Sequence, residues 1–348
     1  MVISNKSQKS GDNSVNLQAE SMTIHTGLSI SHVREVALEV FENNFYKLSG
    51  IAREIAEQRV QEFTEQMITE LSLKNPHGLK AAEDPDFQSS LFQAQKEYAK
   101  CGEKELGDIL IDILVDRSKE NERSLLQIIL NESLIIAPKL NSIQLNILAC
   151  CFNIAYTQLN SITNIKDFTE YLNNAILVFS DSLNEKDTNY KHLEYVGCIS
   201  IREGYRELIP LLREHYPAFF VKGFDNEKTA EIRKSSPQLN EVIIRSLHNV
   251  NLVQARGMTD DVTRQLCIDS AISEEDTNKL LELNNSNLMS YEEALTFLES
   301  ICQKFKQFKS NFESTSFKSL ELTSVGTAIA HAHSRKKTGF DADLADWI

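Results

Sequence analysis

Three aspartates near the first third of the chain have the spacing of one helix face. Asp108, Asp112 and Asp116 stand four residues apart, and a helix would align their carboxylates in a row that can bind a divalent metal or raise the pKa of one member. Apolar residues such as Ile109 and Leu110 fill the opposite face, as in an amphipathic helix. We therefore expect a solvated acidic stripe, and a hydrolase that uses it is the least favoured of three functional hypotheses.

The histidines give weaker indications of chemistry. His331 and His333 are two positions apart, and in the helix expected there their rings point roughly 200° apart, which prevents them from sharing a metal. His215 stands near a predicted helix end, where a contact with the helix dipole accounts for it. The chain has no G-x-x-x-x-G-K-[ST], G-x-S-x-G or H-E-x-x-H motif. We expect no metal, no cofactor and no catalytic residue, and favour a protein that is not an enzyme.

The strongest local charge lies between residues 301 and 339, a segment that contains seven basic residues and two acidic ones. The basic residues are Lys304, Lys306, Lys309, Lys318, Arg335, Lys336 and Lys337. Phe305, Phe308, Phe312 and Phe317 interleave with them, as in a nucleic-acid groove that binds phosphates and stacks bases. The first three rings also share one helix stripe with Ile301, which indicates a core face. We expect the trio 335–337 to be the most exposed part.

The elements that must position these residues are indicated by composition. Glycine (12) and proline (6) together make up about 5% of the 348 residues, against roughly 12% in average proteins. Sandwiches, barrels and propellers need more turns than this. The sequence therefore predicts an all-α fold, in which a long N-terminal helix precedes a multi-helix antiparallel array. A short β leader and a small strand near the C-terminus complete it.

Charge and cysteine usage describe the setting. The net charge of −14 disfavours non-specific binding to nucleic acid or an anionic membrane. None of the six cysteines forms a C-x-x-C motif, and most stand among Leu, Ile and Ala. They are typical of buried apolar residues in a reducing compartment. The first fourteen residues are polar and lack the apolar region of a signal peptide, so we expect a cytoplasmic protein.

One uncharged stretch, residues 140–165, is long enough to span a membrane. It contains Asn146, Asn153 and Asn160, which repeat every seven residues and would form a narrow polar stripe along a helix. Such amides would be costly against lipid. The stretch therefore predicts a buried core helix, with membrane association as the alternative.

The chain divides into five predicted segments: a leader (1–28), a long amphipathic helix (29–73), a linker (74–88), a helical body (89–316) and a strand-helix cap (317–348). In the leader, Val15 and Leu17 alternate with polar residues, and Met22 and Ile24 resume the alternation in the other phase. This predicts a short strand pair that must pair with its own chain or with a neighbouring leader; the alternative is a flexible tail.

An apolar stripe of helical period runs from Ile30 to Leu71, with a kink expected at Ser49-Gly50. A helix of this length packs along a partner helix or enters an oligomer seam. In the body, helical runs include 122–137, 142–160, 238–248 and 290–313. In the cap, a strand at 319–323 precedes a small-residue helix that Thr323 or Ser324 caps and Gly339 ends.

Patches along most of the chain resemble an uncharacterised bacterial helical family. They are the C-terminal pattern Leu322-Thr-Ser-Val-Gly-x-Ala-Ile-Ala330, the pattern Arg335-Lys-x-Thr-Gly339, the terminal Trp347-Ile348, and the interior stretches 105–117 and 122–127. The leader, Ser10-Gly-Asp-Asn-Ser-x-Asn-x-Gln-Ala19, resembles a short element found on varied bacterial proteins. The resemblance implies kinship and a prokaryotic setting but no reaction, and the leader suggests a link to anti-phage defence.

Two further hypotheses for function follow, and both are favoured over the hydrolase. The leading one is a non-enzymatic bacterial component that forms homo-oligomers and engages protein partners, without a membrane. In it, leader strands would stack through Val15, Leu17, Met22 and Ile24, and Phe41, Phe45 and Phe63 would pack a helix seam between subunits. The alternative is a defence or toxin effector that binds nucleic acid through residues 301–339, using Lys304, Lys306, Lys309, Arg335, Lys336 and Lys337.

Overall fold

The computed structural model describes residues 29–44, 50–120, 122–159, 161–184, 186–339 and 342–348. These residues form fifteen α-helices and four three-residue strands, which confirms the all-α class. The helices are Ile30–Asn44 (α1), Ile51–Lys74 (α2), Pro85–Cys101 (α3), Lys104–Arg117 (α4), Leu125–Ile136 (α5), Ser142–Ala155 (α6), Ile165–Tyr171 (α7), Thr188–Tyr195 (α8), Leu208–His215 (α9), Ala230–Ser235 (α10), Asp260–Asp269 (α11), Glu274–Asn285 (α12), Tyr291–Ile301 (α13), Phe305–Ser314 (α14) and Ser324–Thr338 (α15). The strands are Ile199–Ile201 (β1), Ile243–Arg245 (β2), Val253–Ala255 (β3) and Leu320–Leu322 (β4).

The segment predicted as one long, kinked helix is a pair of helices that pack antiparallel. Gly50 precedes α2 with a φ of +58°, a positive value that lies outside the helical range and that glycine adopts without strain. Arg34 on α1 forms a two-pronged ion pair with Glu65 on α2. Gln95 of α3 then bonds both helices, through the carbonyl of Ala37 on α1 and the hydroxyl of Thr64 on α2.

The main core gathers around α6. Its residues from Gln144 to Ile154, except Asn146, are buried, and it packs most extensively against α15. Within the uncharged stretch 140–165, residues Ser142–Ala155 therefore form a core helix, whereas the prediction of a helix to residue 160 was wrong, because residues 156–159 are a turn and irregular backbone. Among the described residues, no helix combines the length and the apolar character that a membrane crossing requires. A second, smaller core joins Phe224, Ile232, Leu239, Cys267 and Leu280 around α10, α11 and α12.

Three stretches differ from the sequence interpretation. Residues 290–313, predicted as one helical run, form α13 and α14, which extended backbone at Cys302 separates. Residues 238–248, predicted helical, contain a 3₁₀ turn (Pro237–Glu241) followed by β2, which pairs antiparallel with β3. The buried amide of Gln254 supports this hairpin, because it accepts the backbone N–H of Leu247 and donates to the carbonyl of Ala218. In the predicted linker 74–88, residues Pro76–Glu83 form a 3₁₀ helix.

The predicted strand and helix of the C-terminal cap are confirmed. Strand β4 pairs antiparallel with β1, which is distant in sequence, with Ile199 opposite Leu322. Thr323 caps α15, and Gly339 ends it with a φ of +73°. This pairing fixes where the last long helix enters the core.

Candidate functional site

Helix α15 is buried although many of its side chains are polar. Every residue from Gly326 to Arg335 lies in the interior. Its start is held by Thr323, whose hydroxyl donates to the carbonyl of Gly197 (2.6 Å) and accepts the N–H of Gly326 (3.1 Å). A Cβ atom at position 326 would stand 1.9 Å from the carbonyl oxygen of Cys198. Glycine is therefore required for the helix to lie this close to the residue before β1.

At the other end of α15, Arg335 meets the aspartate row of α4. Its Nε atom donates to Oδ2 of Asp112 (2.7 Å), and its Nη2 atom donates to Oδ2 of Asp116 (2.7 Å). The second oxygens of these carboxylates accept from Lys74 on α2 (2.9 Å) and from Lys119 (2.8 Å) respectively. We call these five residues the charged centre.

Burial and charge oppose each other in the charged centre. Burial alone would lower the pKa of Arg335, but Asp112 and Asp116 outweigh burial and raise it. Burial alone would raise the pKa of Asp116, but Arg335 and Lys119 outweigh it and hold the pKa below its ordinary value. Arg335 and Asp116 thus form a buried ion pair in which each group satisfies the charge of the other.

Two expectations about these residues were wrong. Asp112 and Asp116 are 0% and 6% exposed, so the aspartate row is not a solvated acidic stripe. Arg335 is 9% exposed and Lys336 is half-buried, so of the basic trio only Lys337 is exposed. The reason is that α15 lies on this face of α4 and supplies the countercharge. The third aspartate of the row, Asp108, is half-buried and accepts a hydrogen bond from Gln66.

The other two basic residues of the trio are paired as well. Lys336 bonds Glu70 on α2 (3.1 Å), and Lys337 bonds Glu105 on α4 (2.7 Å). Residues 335, 336 and 337 therefore all tie the end of α15 to the neighbouring helices. Two of the interior and C-terminal patches on which the family resemblance rests, 105–117 and 335–339, meet in space through these ion pairs.

The two histidines of α15 point to different partners, as helical spacing predicts. Nε2 of His331 lies 2.9 Å from the carbonyl of Ala342, and its ring contacts Phe152 and Trp347. Within the described residues its Nδ1 has no hydrogen-bond partner. Nε2 of His333 lies 2.9 Å from Oδ1 of Asn146. Burial lowers the pKa of His331, and it lowers that of His333 to about 4, so both rings are neutral at pH 7.

The asparagine stripe of α6 faces α15. Asn153 accepts the hydroxyl of Ser334 (2.6 Å) and donates to the carbonyl of Ala175 (2.6 Å). The Oδ1 atom of Asn146 accepts from Nε2 of His333, and its Nδ2 atom donates to the hydroxyl of Ser182 (3.0 Å). The third member, Asn160, lies outside the described residues. The seven-residue spacing of these asparagines thus marked the face of α6 against which the polar helix α15 packs.

Sequence reasoning missed a second ion cluster, centred on Arg117. Its side chain is 0% exposed and donates to Asp86 (2.6 Å), Asp84 (3.1 Å) and Asn131 on α5 (3.0 Å). It also donates to the carbonyl of Glu120. The cluster joins the start of α3, the end of α4 and the middle of α5. An arginine that ends an apolar helix was the available signal, but such residues are usually exposed.

Metal-ligating and thiol groups do not form a reactive centre in the described part of the chain. No group of three or more His, Cys, Asp or Glu residues there is placed to hold a metal ion. Five of the six cysteines are buried and one, Cys101, is exposed. Burial raises the pKa of Cys151 and of Cys198 to about 12, which keeps these thiols protonated and unreactive.

The phenylalanines proposed for nucleic-acid binding in residues 301–339 are not available for stacking. Phe305, Phe308, Phe312 and Phe317 are core residues, at most 3% exposed, so they cannot stack on bases. Lys304 pairs with Asp181, and Lys309 pairs with Glu313. Lys306 is exposed.

The aromatic candidates for a subunit seam are used inside the chain. Phe63 is 1% exposed and contacts the ring of Tyr98, and Phe41 is 4% exposed and packs with Val60. These two side chains are not available to a partner, because the hairpin of α1 and α2 closes over them together with α3. Phe45 and the leader residues Val15, Leu17, Met22 and Ile24 lie outside the described residues.

His215, at the C-terminal end of α9, contacts the carbonyl of Thr157.

Two open surface cavities lie away from the charged centre. One, of about 520 Å³, is lined in part by Glu103 and Lys139, and another, of about 510 Å³, is lined in part by Arg213 and Asp260. Each mixes acidic and basic groups. Neither therefore presents the single sign of charge that would select an anion or a cation.

Fold and site together define an all-α protein whose C-terminal helix is anchored in the core by buried ion pairs and amide hydrogen bonds. The model of one uncharacterised protein family matches residues 27–348, which is most of the chain. The protein belongs to that family, and the leader lies almost entirely outside the matched range. No curated protein and no solved structure matched the chain.

Proposed function

We propose that this chain is a non-enzymatic bacterial protein that assembles with copies of itself and acts in the cytoplasm as a structural or interaction component. One contrast supports the proposal. The acids and bases that could do chemistry, including Asp112, Asp116 and Arg335, bind one another in the interior, whereas large apolar side chains such as Leu125 are on the surface. Exposed apolar groups of this kind favour protein contacts.

Light scattering on the full chain tests self-assembly. The expected mass is a multiple of 39.5 kDa, and a mass of one chain at all concentrations would contradict the proposal. The same measurement on a chain lacking residues 1–28 tests the proposed contribution of Val15, Leu17, Met22 and Ile24. A mass that the deletion leaves unchanged removes the leader from the assembly while leaving self-assembly in place.

The alternative function is binding of nucleic acid through residues 301–339. It retains the exposed Lys304, Lys306 and Lys337, of which Lys304 and Lys337 are ion-paired, but the four phenylalanine rings are buried. Filter binding over a salt series decides between the two functions, because phosphate contacts make affinity fall steeply with salt. Binding that is absent at low salt, or that Lys304→Glu with Lys306→Glu leaves unchanged, removes this alternative.

The proposed link to anti-phage defence has a narrower basis. It rests on the resemblance of residues 10–19 to leaders of varied bacterial proteins. Plaque counts on cells with and without the chain test it directly. Equal counts for a panel of phages would separate the protein from defence without affecting the proposal of self-assembly.

A further inference from the structure

Two adjoining cavities lie where the main core meets the second core. The larger is the cavity of about 510 Å³ beside Arg213 and Asp260, which we call the outer chamber. The smaller, of about 140 Å³, we call the inner chamber. Gln158 and Thr259 line both cavities, so the two chambers meet at these residues. Ligand sites occur preferentially where two packed units of a protein meet.

The inner chamber has a largely apolar wall to which both cores contribute. Its apolar and aromatic lining residues are Leu159, Tyr216, Met258, Val262 and Leu266. Tyr216 and Met258 belong to the main core, whereas Leu266 packs against the second core. The hydroxyl of Tyr216 accepts the backbone N–H of Leu159 (3.0 Å), which holds both residues in the wall. A volume of about 140 Å³ is close to that of a cavity that binds benzene, so the inner chamber fits an aromatic or branched aliphatic side chain.

The outer chamber carries opposite charges that do not pair with one another. Its lining includes one cation and three acids, Arg213, Glu214, Asp260 and Asp261. Nη2 of Arg213 donates to the carbonyls of Met289 (2.5 Å) and Ser290 (2.7 Å), which orients the guanidinium but gives it no acidic partner among the described residues. Within the same residues, the side chains of Glu214 and Asp261 form no ion pair and no hydrogen bond.

These unpaired charges define the ligand that the outer chamber accepts. A purely anionic ligand would meet three carboxylates, and a purely cationic ligand would leave Arg213 without a counterion. A ligand that carries both a carboxylate and an ammonium group pairs with both sides, because the opposite charges of the chamber stand apart from each other. An apolar group on the same ligand would extend into the inner chamber.

We propose that the two chambers together bind a free α-amino acid with an aromatic or branched aliphatic side chain. Its carboxylate pairs with Arg213, its ammonium group pairs with the three acids, and its side chain enters the inner chamber. The proposal goes beyond the function proposed above, since neither self-assembly nor nucleic-acid binding uses these cavities. The result of a mass measurement therefore leaves it unaffected.

Calorimetric titration of the full chain tests the chemistry of the ligand. L-phenylalanine or L-leucine should bind with a dissociation constant of about 1 mM or lower, a range that ligands of this size reach. Phenethylamine lacks the carboxylate and hydrocinnamate lacks the ammonium group, as isoamylamine and isocaproate do for the leucine series. Each should bind about 10-fold more weakly than the parent amino acid, because a hydrogen bond to a charged group contributes about this much. Absence of binding by both amino acids, or equal binding by a singly charged analogue, overturns the proposal.

Variants in the two chambers test where the amino acid binds. Glu214→Gln with Asp261→Asn removes two exposed carboxylates that have no side-chain partner and should weaken binding by about 10-fold. Val262→Trp should weaken it by about 10-fold or more, because the added ring fills the inner chamber. Glu282→Gln is the matched control, since Glu282 on α12 is exposed and lines neither chamber. Wild-type affinity in both chamber variants would place the ligand elsewhere and overturn the proposal.

Arg213→Gln separates recognition of the carboxylate from a structural role of Arg213. The variant should bind L-phenylalanine and phenethylamine with equal affinity, whereas the wild type prefers the amino acid. A loss of structure would weaken both ligands alike and leave their ratio unchanged. A preference that persists in a variant with wild-type helix content by circular dichroism would place the carboxylate away from Arg213 and overturn the proposed arrangement.

Discussion

Helices α5 and α15 pack against each other and invert the usual relation between polarity and burial. Helix α5 consists mostly of Leu and Ile, yet Leu125, Ile128 and Ile135 face solvent. Helix α15 carries two histidines and three basic residues in succession, yet its residues from Gly326 to Arg335 are buried. Composition alone would have placed α5 in the interior and the end of α15 on the surface.

The difference shows that the partner of a helix face decides its burial. Helix α15 enters the core because α4 offers it Asp112 and Asp116, and α6 offers it Asn146 and Asn153. Buried polar groups are tolerated when each finds a hydrogen-bond partner. The outer face of α5 finds no comparable partner within the described residues, so its apolar side chains remain available for association.

The largest expected effect comes from removing Arg335. Arg335→Met leaves Asp112 and Asp116 in the interior with one cation fewer, and breaking a buried ion pair from one side costs about 3–5 kcal/mol. Urea denaturation measures the free energy of unfolding. Lys337→Met is the control, because the pair of Lys337 with Glu105 is partly exposed and should cost at most about 1 kcal/mol. Equal losses in both variants would contradict the structural role of the charged centre.

Because of the buried histidines of α15, the free energy of unfolding should decrease as the pH is lowered. The pKa of His333 is about 4 and that of His331 is also lowered, against 6.5 for the free side chain. The folded state therefore binds fewer protons than the unfolded state. The contribution of the neutral rings to the free energy of unfolding should be complete above pH 6.5. It should decline towards pH 4, by on the order of 3 kcal/mol for His333. Trp347, the single tryptophan, contacts His331, so its fluorescence reports the unfolding.

The control for this pH dependence is His333→Asn, which removes one titrating ring. Its stability should change less between pH 6.5 and 4 than that of the wild type. His248, whose pKa burial also lowers, is present in both proteins and cancels. Asp116, with a lowered pKa, acts only below about pH 4. Identical pH profiles for the two proteins would show that His333 does not titrate between the folded and unfolded states.

A feature could be predicted from the sequence when the residues that determine it lie close together along the chain. The helical class, the burial of α6 and the β4–α15 cap rest on local spacing and capping residues, such as Thr323 and Gly339, and these were predicted. The burial of the aspartate row was not, because its countercharge, Arg335, is 219 residues beyond Asp116. Spacing identifies a helix face but not the element that covers it.

The same limit applies to apolar helix faces. The apolar stripe of α1 and α2 has the period of an interface helix, and the sequence could not tell whether its own chain or a second copy would cover it. In the structure its own chain covers Phe41 and Phe63, whereas Ile51 and Ile55 of the same stripe remain 75% and 43% exposed. For α5, the sequence predicted a helix over 122–137 but gave no sign that three of its eight apolar residues would remain exposed.

The start of α15 can be disturbed without touching its charges. Gly326→Ala places a Cβ against the carbonyl of Cys198, so backbone must move, and overpacking of this kind typically costs 1–3 kcal/mol. Gly204→Ala is the matched control, because nothing lies within 4 Å of a Cβ there and it should change the free energy of unfolding little. Urea denaturation compares the two. A cost for Gly326→Ala no greater than that of the control would mean that α15 does not need this close approach.

The smallest effect sharpens the comparison within α5 itself. Leu125→Ala should change the free energy of unfolding of the dissociated chain by less than about 0.5 kcal/mol, as exposed substitutions do. Leu130→Ala, five residues along the same helix but 0% exposed, should cost about 2–5 kcal/mol. Urea denaturation at concentrations below association gives both values. The two positions share helix and residue type but lie on different faces, so a large cost at Leu125 would show that part of the same chain covers the outer face of α5.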